Sequence, residues 1–440
     1  MNQSNKYQPR TLQGFNDYFA NDVRIREYVK NIFRTSFQKY GFEPLETPAL
    51  EYSELMLGQS GDEAEKQYYR FKDNGDRDVM LKFEVMISMC RAIAQRFNEI
   101  VFPYKRYQIQ NVWRAEKVQK GRYREFTQMD ADILGTSSML ADAEIIQLGI
   151  EVVTKLGFEN FSARISNRKF LEGLAEYFKI TQDKYYEFFM SIDKLEKTGE
   201  QAVIQELVER RGIESNVAQN SIGTLVKGNK VENYDEQIKF FQESVGQTEI
   251  GKAGLDEISQ IVSYLKSVGI NEKFYKFDPT IARGLASYTG PVWEFTVYDG
   301  GVGSIAGGGR YDKAIEKYIG KSIPATGISF GLERVSDIIK DRAMYIPDNV
   351  LNVLVTIFSE ETKQASIEFV NMIRKEGIPA VLYPEVVKLD KQFKYADRKS
   401  IPYVIVIGPD EVSKGVVQVK DMLNRTQNQY TPEEALEKMK

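Results

Sequence analysis

The chain has 440 residues, of which 42% are hydrophobic and 28% charged, and its formal net charge is -4. This length predicts two or three domains, and the composition is that of an ordinary globular protein. Histidine is absent and Cys90 is the single cysteine, which excludes a histidine base, a metal site built from His or Cys and an intrachain disulfide, and fits a reducing cytoplasm. No apolar run approaches the roughly 18 residues of a membrane span, and the N-terminus lacks the apolar core of a secretory signal.

The first part of the chain predicts a long helix followed by an extended segment. Apolar residues recur at helical spacing over 22–40, and Gly41 is placed to end the helix. The prolines of FEPLETP favour an extended chain as far as Pro48.

A strand around 68–71 and a turn at 74–75 are expected next. The run LKFEVMISMCRAIAQRF is predicted to begin extended and to become helical from about Ile87. Glu84 lies at this junction, where a solvated carboxylate is the simplest interpretation.

The stretch Lys105 to Gly135 predicts an antiparallel hairpin with one polar face. Its two halves alternate apolar and polar residues, and the short loop KVQKGR joins them. The polar face collects Gln108, Gln110, Arg114, Glu116, Arg124, Phe126, Gln128, Asp130 and Asp132. Because buried charges are costly unless paired, a ligand with an anionic and a cationic end would account for this face. An edge hairpin with solvated charges is the alternative.

Further along, a helix is predicted over 138–156, and short helices rich in Lys and Glu over 170–270. Strands are expected at 278–285 and 293–298. The glycines at 307–309 would let a ligand approach the backbone closely, or would form a flexible hairpin.

From about residue 347 the pattern changes to that of a small parallel α/β domain. The predicted elements are 351–358 (strand), 364–375 (helix), 379–384 (strand), 388–400 (helix) and 403–408 (strand). Lys391, Lys394 and Arg398 would share one face of the second helix, where they could bind phosphate or be solvated.

Several of these segments resemble class II aminoacyl-tRNA synthetases. WRAEKVQKGRYREF resembles their second signature, ATGISFGLERV resembles the third, and the helix and strand up to Pro48 resemble the first. The longer string WRAEKVQKGRYREFTQMDAD is similar to histidyl-tRNA synthetases, and KQFKYADRKSIPYVIVIGPDEVSKGVVQVKDM to their anticodon-binding domain.

The resemblance implies an α+β fold with a class II antiparallel-sheet catalytic core at 1–168 and 271–345. It also implies a helical insertion domain at 169–270 and a C-terminal α/β anticodon-binding domain at 346–440. The expected activity is ATP-dependent activation of histidine and its transfer to tRNA, by a cytoplasmic homodimer without a membrane partner.

The resemblance also assigns roles to residues. Arg114 and Arg283 are the expected catalytic residues, because both would act at the α-phosphate. The residues expected to bind ATP, with Mg²⁺ on its phosphates, are Arg114, Glu116, Arg122, Phe126 and Arg334. Those expected to bind the amino acid are Glu84, Met86, Gln128, Asp132, Arg283, Ser287 and Tyr288. Those expected to bind tRNA are Lys391, Lys394 and Arg398, and no metal ligand is expected from His or Cys.

The amino-acid end departs from the family's usual pattern. Met86 replaces a usual threonine, and Ala286 and Ser287 replace a usual Asp-Tyr pair. The loss of a hydrogen-bonding group can change the discrimination between two substrates by a factor of about 10⁴, whereas one methylene group changes it only roughly 10- to 200-fold. A paralogue that activates another amino acid therefore stays open. A regulatory or tRNA-sensing protein without catalysis is a second, separate alternative.

Overall fold

The computed structural model describes residues 8–57, 67–282, 287–346 and 351–439, and the chain forms two compact units, 1–345 and 346–440. The strands of the N-terminal unit are β1 (Glu43–Pro44), β2 (Leu50–Tyr52), β3 (Arg70–Lys72), β4 (Asp78–Leu81), β5 (Tyr104–Trp113), β6 (Glu125–Leu134), β7 (Phe161–Asn167), β8 (Tyr275–Phe277), β9 (Pro291–Val297), β10 (Ala306–Arg310) and β11 (Ala325–Gly331). Its helices are α1 (Ala20–Lys39), α2 (Ser53–Leu57), α3 (Met86–Gln95), α4 (Met139–Lys155), α5 (Arg168–Tyr177), α6 (Tyr185–Ile192), α7 (Leu195–Thr198), α8 (Glu200–Glu209), α9 (Ser215–Asn229), α10 (Tyr234–Gln242), α11 (Glu249–Ser267), α12 (Glu316–Ile319) and α13 (Leu332–Asp341).

The unit is organised around an eight-stranded sheet in the order β1-β5-β6-β11-β10-β9-β7-β8. Its central pairs are antiparallel, and the pairs at the two edges, β1 with β5 and β7 with β8, are parallel. A separate three-stranded sheet has the order β2-β4-β3. The predicted α+β class with an antiparallel core is confirmed, and so is the hairpin, which β5 and β6 form.

The first predicted helix is confirmed as α1, and it covers one face of the large sheet. Phe33 and Phe37 are fully buried, and their rings lie 4.9 Å from Phe330 of β11 and 5.4 Å from Tyr107 of β5. Burying a phenylalanine is worth about 1.5–3 kcal/mol, so these contacts fix the helix on the apolar side of the strands. The polar side of the sheet is thereby left for the site.

The chain between β7 and β8 consists of the helices α5 to α11. The strand predicted at 278–285 is wrong over its described part, because β8 ends at Phe277. Asp278 Oδ1 accepts hydrogen bonds from Thr280 N at 3.1 Å and from Thr280 Oγ1 at 2.6 Å, and Pro279 has no N–H to donate to a neighbouring strand. These contacts favour a turn. Residues 283–286, where the rest of the predicted strand falls, lie outside the described residues.

The C-terminal unit contains a five-stranded sheet. Its strands are β12 (Val353–Val355), β13 (Ala380–Leu382), β14 (Tyr403–Val406), β15 (Val417–Asp421) and β16 (Thr426–Tyr430), and its helices are α14 (Lys363–Lys375), α15 (Leu389–Arg398), α16 (Pro409–Lys414) and α17 (Pro432–Met439). The sheet order is β13-β12-β14-β15-β16. The pairs among the first three strands are parallel, and the pairs β14–β15 and β15–β16 are antiparallel. The predicted parallel strands are confirmed. The sheet is mixed because the hairpin of β15 and β16, which was not predicted from the sequence, adds antiparallel strands to it.

Among the described helices of the chain, none has both the length and the apolar character that crossing a membrane requires.

Candidate active site

The polar face of the β5–β6 hairpin continues across the next strand, β11. Three rows of residues lie side by side there. From β5 through β6 to β11 the rows are Gln110–Gln128–Gly331, Gln108–Asp130–Ser329 and Arg106–Asp132–Gly327. The strand pairing thus brings residues about 200 positions apart in sequence onto one surface.

A cavity of about 250 Å³ lies on this face beside the β5–β6 loop. Its wall contains all the side chains predicted to bind ATP, which are Arg114, Glu116, Arg122, Phe126 and Arg334. Gln128, Ser329 and Gly307 also line it. The structure therefore places the predicted ATP-binding residues together, next to one of the residues predicted to bind the amino acid.

Backbone carbonyl groups orient two of the cavity's guanidinium groups. Arg114 Nε donates to the Phe83 carbonyl at 3.0 Å, and its guanidinium carbon lies 5.1 Å from the centre of the Phe126 ring. Arg334 Nε donates to the Gly121 carbonyl at 3.1 Å, and its Nη1 donates to the Ser304 carbonyl. Both cations are consequently held at the cavity wall before any ligand binds.

Arg122 and Glu116 face each other across the loop, with 3.7 Å between Nη1 and Oε2. The Arg122 side chain is 49% exposed. Ion pairs of this kind are worth only about 0–1 kcal/mol, so either group can exchange its partner for a charged ligand.

Gln128 connects the cavity wall with the segment that carries Glu84. Its Oε1 accepts from Val85 N at 3.2 Å, and its Nε2 donates to Ser329 Oγ at 2.8 Å. Burial raises the pKa of the adjacent Glu84 carboxyl, and the positive charge of Arg114 opposes this shift. Glu84 is half-buried, so it is not the fully solvated carboxylate expected from the sequence alone.

Asp132 lies two residues beyond Asp130 on the same face of β6 and is not among the residues that line the cavity. It forms an ion pair with Arg106 at 2.6 Å, in which the Arg106 side chain is fully buried, and it accepts a hydrogen bond from Tyr311. Burial raises the pKa of Asp132, and Arg106 and Tyr311 both oppose that rise. A Cβ atom at Gly327 would overlap the Asp132 carboxylate, so this row requires glycine.

The other residues predicted to bind the amino acid occupy three different environments. Tyr288 packs over Gly309, where an added Cβ would come within 2.9 Å of its ring, and burial raises the pKa of its phenol. Met86 begins α3 and packs against a buried apolar cluster that also contacts Tyr288. Ser287 is exposed. Arg283 and Ala286 lie outside the described residues.

Arg106, Tyr311 and Ser329 were not predicted as site residues. Arg106 and Tyr311 contact Asp132, and Ser329 contacts Gln128. Arg106 could have been found, because it lies two and four residues before Gln108 and Gln110 on the same strand and so shares their face. Tyr311 and Ser329 carry no such local signal, since their contacts depend on the pairing of distant strands.

In the C-terminal unit the predicted tRNA-binding residues lie on α15. Lys391, Lys394 and Arg398 are exposed, and the opposite side of the helix is buried through Gln392 and Ala396. Lys394 pairs with Asp390 at 2.8 Å and Lys391 with Glu385 at 3.7 Å, both at well-exposed positions. The three bases thus share one accessible face of the helix.

Comparison with known proteins agrees with this architecture. The family model for histidyl-tRNA synthetase matches residues 14–335, and the model for the anticodon binding domain matches residues 352–440. A histidine–tRNA ligase of Clostridium tetani (strain Massachusetts / E88) is 39% identical over 440 residues, which cover 98% of each chain. One of Cytophaga hutchinsonii is 33% identical over 454 residues, with 98% of this chain and 99% of the other covered. The crystal structure of histidyl-tRNA synthetase from Nostoc sp. PCC 7120 gives a TM-score of 0.86 at 28% identity, with 99% of each chain covered. The chain belongs to the histidyl-tRNA synthetase family.

Proposed function

We propose that this protein is a histidine–tRNA ligase that activates histidine with ATP and transfers the histidyl group to tRNA. The observation that carries the proposal is the shared cavity, in which the guanidinium groups of Arg114, Arg122 and Arg334 surround a space beside the Phe126 ring. A nucleoside triphosphate offers the anionic and aromatic parts that such a wall accommodates.

The activation step joins the histidine carboxylate to the α-phosphate of ATP and releases pyrophosphate. The protein's task is to align two anions and to stabilise the charge that develops on the phosphate. Arg114, and Arg283 by resemblance, would hold the α-phosphate, while Arg122 and Arg334 would hold the outer phosphates. Phe126 would stack on the adenine and Glu116 would help to seat the nucleotide. No protein base is needed, because the attacking carboxylate is already ionised.

Magnesium would enter with the nucleotide. In the described part of the chain no three acidic, Cys or His residues form a cluster that could hold a metal, which fits an ion bound mainly through the phosphates. Glu116 is the carboxylate in the cavity wall nearest to Arg122, and it is the protein group we expect beside such an ion. The ion would neutralise charge on the phosphates.

At the amino-acid end, Glu84 and Gln128 would hold the α-ammonium group. Asp132 and Tyr288 would contact the imidazole ring on the neighbouring row, and Met86 would form part of the apolar wall. The N–H of Val85, the residue after Glu84, donates a hydrogen bond to Gln128 Oε1, so Glu84 and Gln128 are held near each other. This proximity supports a common ligand for the two side chains.

The anticodon-binding unit would recognise tRNA, and we assign Lys391, Lys394 and Arg398 to its phosphates. Their exposure on one face of α15 supports this role. The proposal also includes a homodimer, since the segment up to Pro48 resembles the first class II signature and is followed by the exposed side chains of Leu50 and Tyr52. The cytoplasm is the compartment in which ATP and tRNA are both available.

ATP–pyrophosphate exchange with a panel of amino acids tests the proposal. We expect exchange that depends on histidine, and a loss of roughly 10²–10³-fold in rate for Arg114→Ala, the size typical of removing one preorganised charge-stabilising donor. Asp76→Asn is the control, since its side chain is 90% exposed in the three-stranded sheet's turn region. Exchange that prefers another amino acid would replace the proposal with the paralogue, and no ATP binding would favour the regulatory alternative.

A further inference from the structure

The loop between β5 and β6, which carries Arg122, has a tight turn at its tip. Gln119 N donates to the Arg122 carbonyl at 3.2 Å, and Arg122 N donates to the Gln119 carbonyl at 2.8 Å. Lys120 and Gly121 form the tip between them, and Gly121 has a φ of 70°, a value that favours glycine. The turn fixes the backbone of Arg122 relative to the tip. The place of the guanidinium in the cavity then depends on what the loop contacts elsewhere.

The loop is tied to one face of α13. Arg334 Nε donates to the Gly121 carbonyl at 3.1 Å, and the Tyr123 hydroxyl donates to Asp337 Oδ2 at 3.1 Å. Arg334 and Asp337 are three residues apart on α13, so their side chains lie on the same side of the helix. The residues before and after Arg122 are thus bound to the helix that also supplies Arg334 to the cavity.

The hydrogen bond between Tyr123 and Asp337 is better shielded than the ion pair at the tip of the loop. That ion pair joins Lys120 and Asp341 at 2.7 Å, with side chains that are 61% and 52% exposed, and exposed ion pairs contribute little. Tyr123 and Asp337 are half-buried, and burial raises the pKa of Tyr123 to about 12, so its hydroxyl keeps its proton. Burial also raises the pKa of Asp337, and the hydrogen bond from Tyr123 opposes this rise. A hydrogen bond to a carboxylate is roughly twice as strong as one between neutral groups, so this pair is the stronger tether.

Close packing does not replace this hydrogen bond. Tyr123 lines the cavity described above and a second one of about 220 Å³, to which Asp337 and Tyr18 also contribute. A side chain that borders two cavities is held less firmly than one in a dense core, because a cavity offers no contact atoms on that side. The position of the loop therefore depends on the hydrogen bond to α13.

Arg122 is the cavity arginine that depends most on the loop. Its side chain is half-exposed, and within the described residues it has the ion pair with Glu116 at 3.7 Å and no hydrogen bond to a backbone carbonyl. Arg114 and Arg334, in contrast, each donate to a backbone carbonyl. The direction of the Arg122 guanidinium is consequently set by the backbone that carries it.

We infer that Tyr123 is a positioning residue, whose hydrogen bond to Asp337 ties the loop to α13 and so holds the Arg122 guanidinium where the outer phosphates of ATP would lie. This inference rests on the ATP-binding part of the proposed function. AMP has the adenine and the α-phosphate, which Phe126 and Arg114 would hold, but it has no outer phosphates. Loss of the tether should therefore weaken the binding of ATP and spare that of AMP, whereas general damage to the cavity would weaken both.

The test measures the binding of ATP and of AMP to the full-length protein by titration calorimetry, with Mg²⁺ present. Tyr123→Phe removes the hydroxyl and keeps the ring. We expect the Kd of ATP to rise on the order of tenfold, as for the loss of a hydrogen bond to a charged group, and the Kd of AMP to change by less than about twofold. Tyr18→Phe is the matched control, because it removes a hydroxyl that lies at the same second cavity and is hydrogen-bonded to Asn16. Both of its affinities should equal those of the wild type.

Further variants test the partner and the route of the effect. Asp337→Asn keeps an oxygen that accepts the Tyr123 hydroxyl, so its Kd for ATP should stay within roughly threefold of the wild type. Asp337→Leu has no acceptor and should match Tyr123→Phe. In an Arg122→Ala background the group to be positioned is absent, so Tyr123→Phe should add no further loss for ATP. A side chain that only stabilised the fold would add its full effect there.

The outcomes separate this inference from the proposed function. Equal losses for ATP and AMP in Tyr123→Phe, or a full further loss in the Arg122→Ala background, would overturn the inference even if exchange with histidine is normal. A loss confined to ATP, without any histidine-dependent exchange, would uphold the tether and overturn the proposed function. Should Tyr123→Phe fail to fold, the comparison of Asp337→Asn with Asp337→Leu decides by the same two affinities. A wild type that does not bind ATP overturns both.

Discussion

Replacing Arg106 by methionine should separate the support of the amino-acid pocket from the binding of ATP. Arg106 is fully buried and pairs with Asp132 at 2.6 Å, but it does not line the cavity. Methionine has a similar length and no charge, so the variant leaves a buried carboxylate without its counter-ion. Removing one partner of a buried pair costs about 3–5 kcal/mol, and we expect the free energy of unfolding to fall by that amount at neutral pH.

The loss of stability in Arg106→Met should become smaller in acid. Without the guanidinium, burial raises the pKa of Asp132 with less to oppose it, so the pKa in the folded state lies above that in the unfolded chain. A carboxyl group whose pKa is raised by folding is protonated in both states below its unfolded pKa, so it costs no stability there. As the pH rises from the unfolded pKa through the folded pKa, stability is lost. One pKa unit corresponds to about 1.4 kcal/mol, so the deficit should shrink by up to roughly that amount per pH unit between about pH 7 and pH 5.

Urea unfolding at both pH values measures this deficit, and exchange kinetics give the KM for histidine and for ATP. We expect the KM for histidine to rise at least about tenfold, equivalent to about 1.4 kcal/mol, with little change for ATP. Arg164→Met is the matched control, because Arg164 is a buried partner of Asp278 at 2.8 Å on β7 and does not line the cavity. Because Lys276 Nζ remains 3.8 Å from the Asp278 carboxylate, this variant should lose less stability than Arg106→Met, and it should keep the KM for histidine. A deficit in Arg106→Met that does not depend on pH, or a KM for histidine equal to that of the control, would refute the reasoning.

Three further changes test other parts of the structure. Lys82 is 1% exposed, and burial lowers its pKa from 10.5 to about 8. The contribution of Lys82 to the free energy of unfolding is therefore complete above the unfolded pKa, where the amine is neutral, and is lost as the pH falls through 8. Relative to Lys82→Met, the wild type should therefore gain up to about 3 kcal/mol in unfolding free energy between pH 8 and 10.5, and parallel curves would contradict this. Gly327→Ala should cost about 1–3 kcal/mol and raise the KM for histidine, because its Cβ overlaps the Asp132 carboxylate; unaltered thermal unfolding and kinetics would count against the packing described. Replacing both Lys391 and Arg398 by alanine should reduce the salt dependence of tRNA binding by about 0.7–0.9 per lost phosphate contact in a plot of log affinity against log salt, and an unchanged slope would exclude α15 from the interface.

The features that the sequence predicted best are those with a local cause. The alternation of polar and apolar residues from Lys105 to Gly135 identified the hairpin and its ligand face, because a strand has a period of two wherever one side is buried. The amphipathic pattern before Gly41 identified α1 in the same way, and Gly41 adopts a φ of 79° where the helix ends.

The features that the sequence missed depend on distant pairing or lack an apolar signal. Tyr311 reaches Asp132 from 179 residues away, and no local pattern marks it as part of the pocket. β16 reads TQNQY and is largely exposed, so its hydrophobicity does not distinguish it from a polar loop. The strand predicted from Asp278 onward contains Pro279 as its second residue, which has no N–H to donate to a neighbouring strand, and β8 ends before it at Phe277.

The effect of Met86 and Ser287, which depart from the family pattern, on substrate choice depends on their positions in the structure. Met86 packs against the apolar cluster around Tyr311 and Tyr288, and Ser287 is exposed, so neither position supplies a polar group to the rows between β5 and β11 in the described structure. We propose that the groups that distinguish one side chain from another by hydrogen bonding are instead the buried acids Asp130 and Asp132 on β6, of which Asp132 pairs with the Arg106 guanidinium. Their positions are fixed by strand pairing on both sides, and strands hold side chains more precisely than loops do. A change of substrate would therefore have to act on this pair of acids, while substitutions such as Met86 adjust the apolar wall by the smaller factor that methylene groups provide.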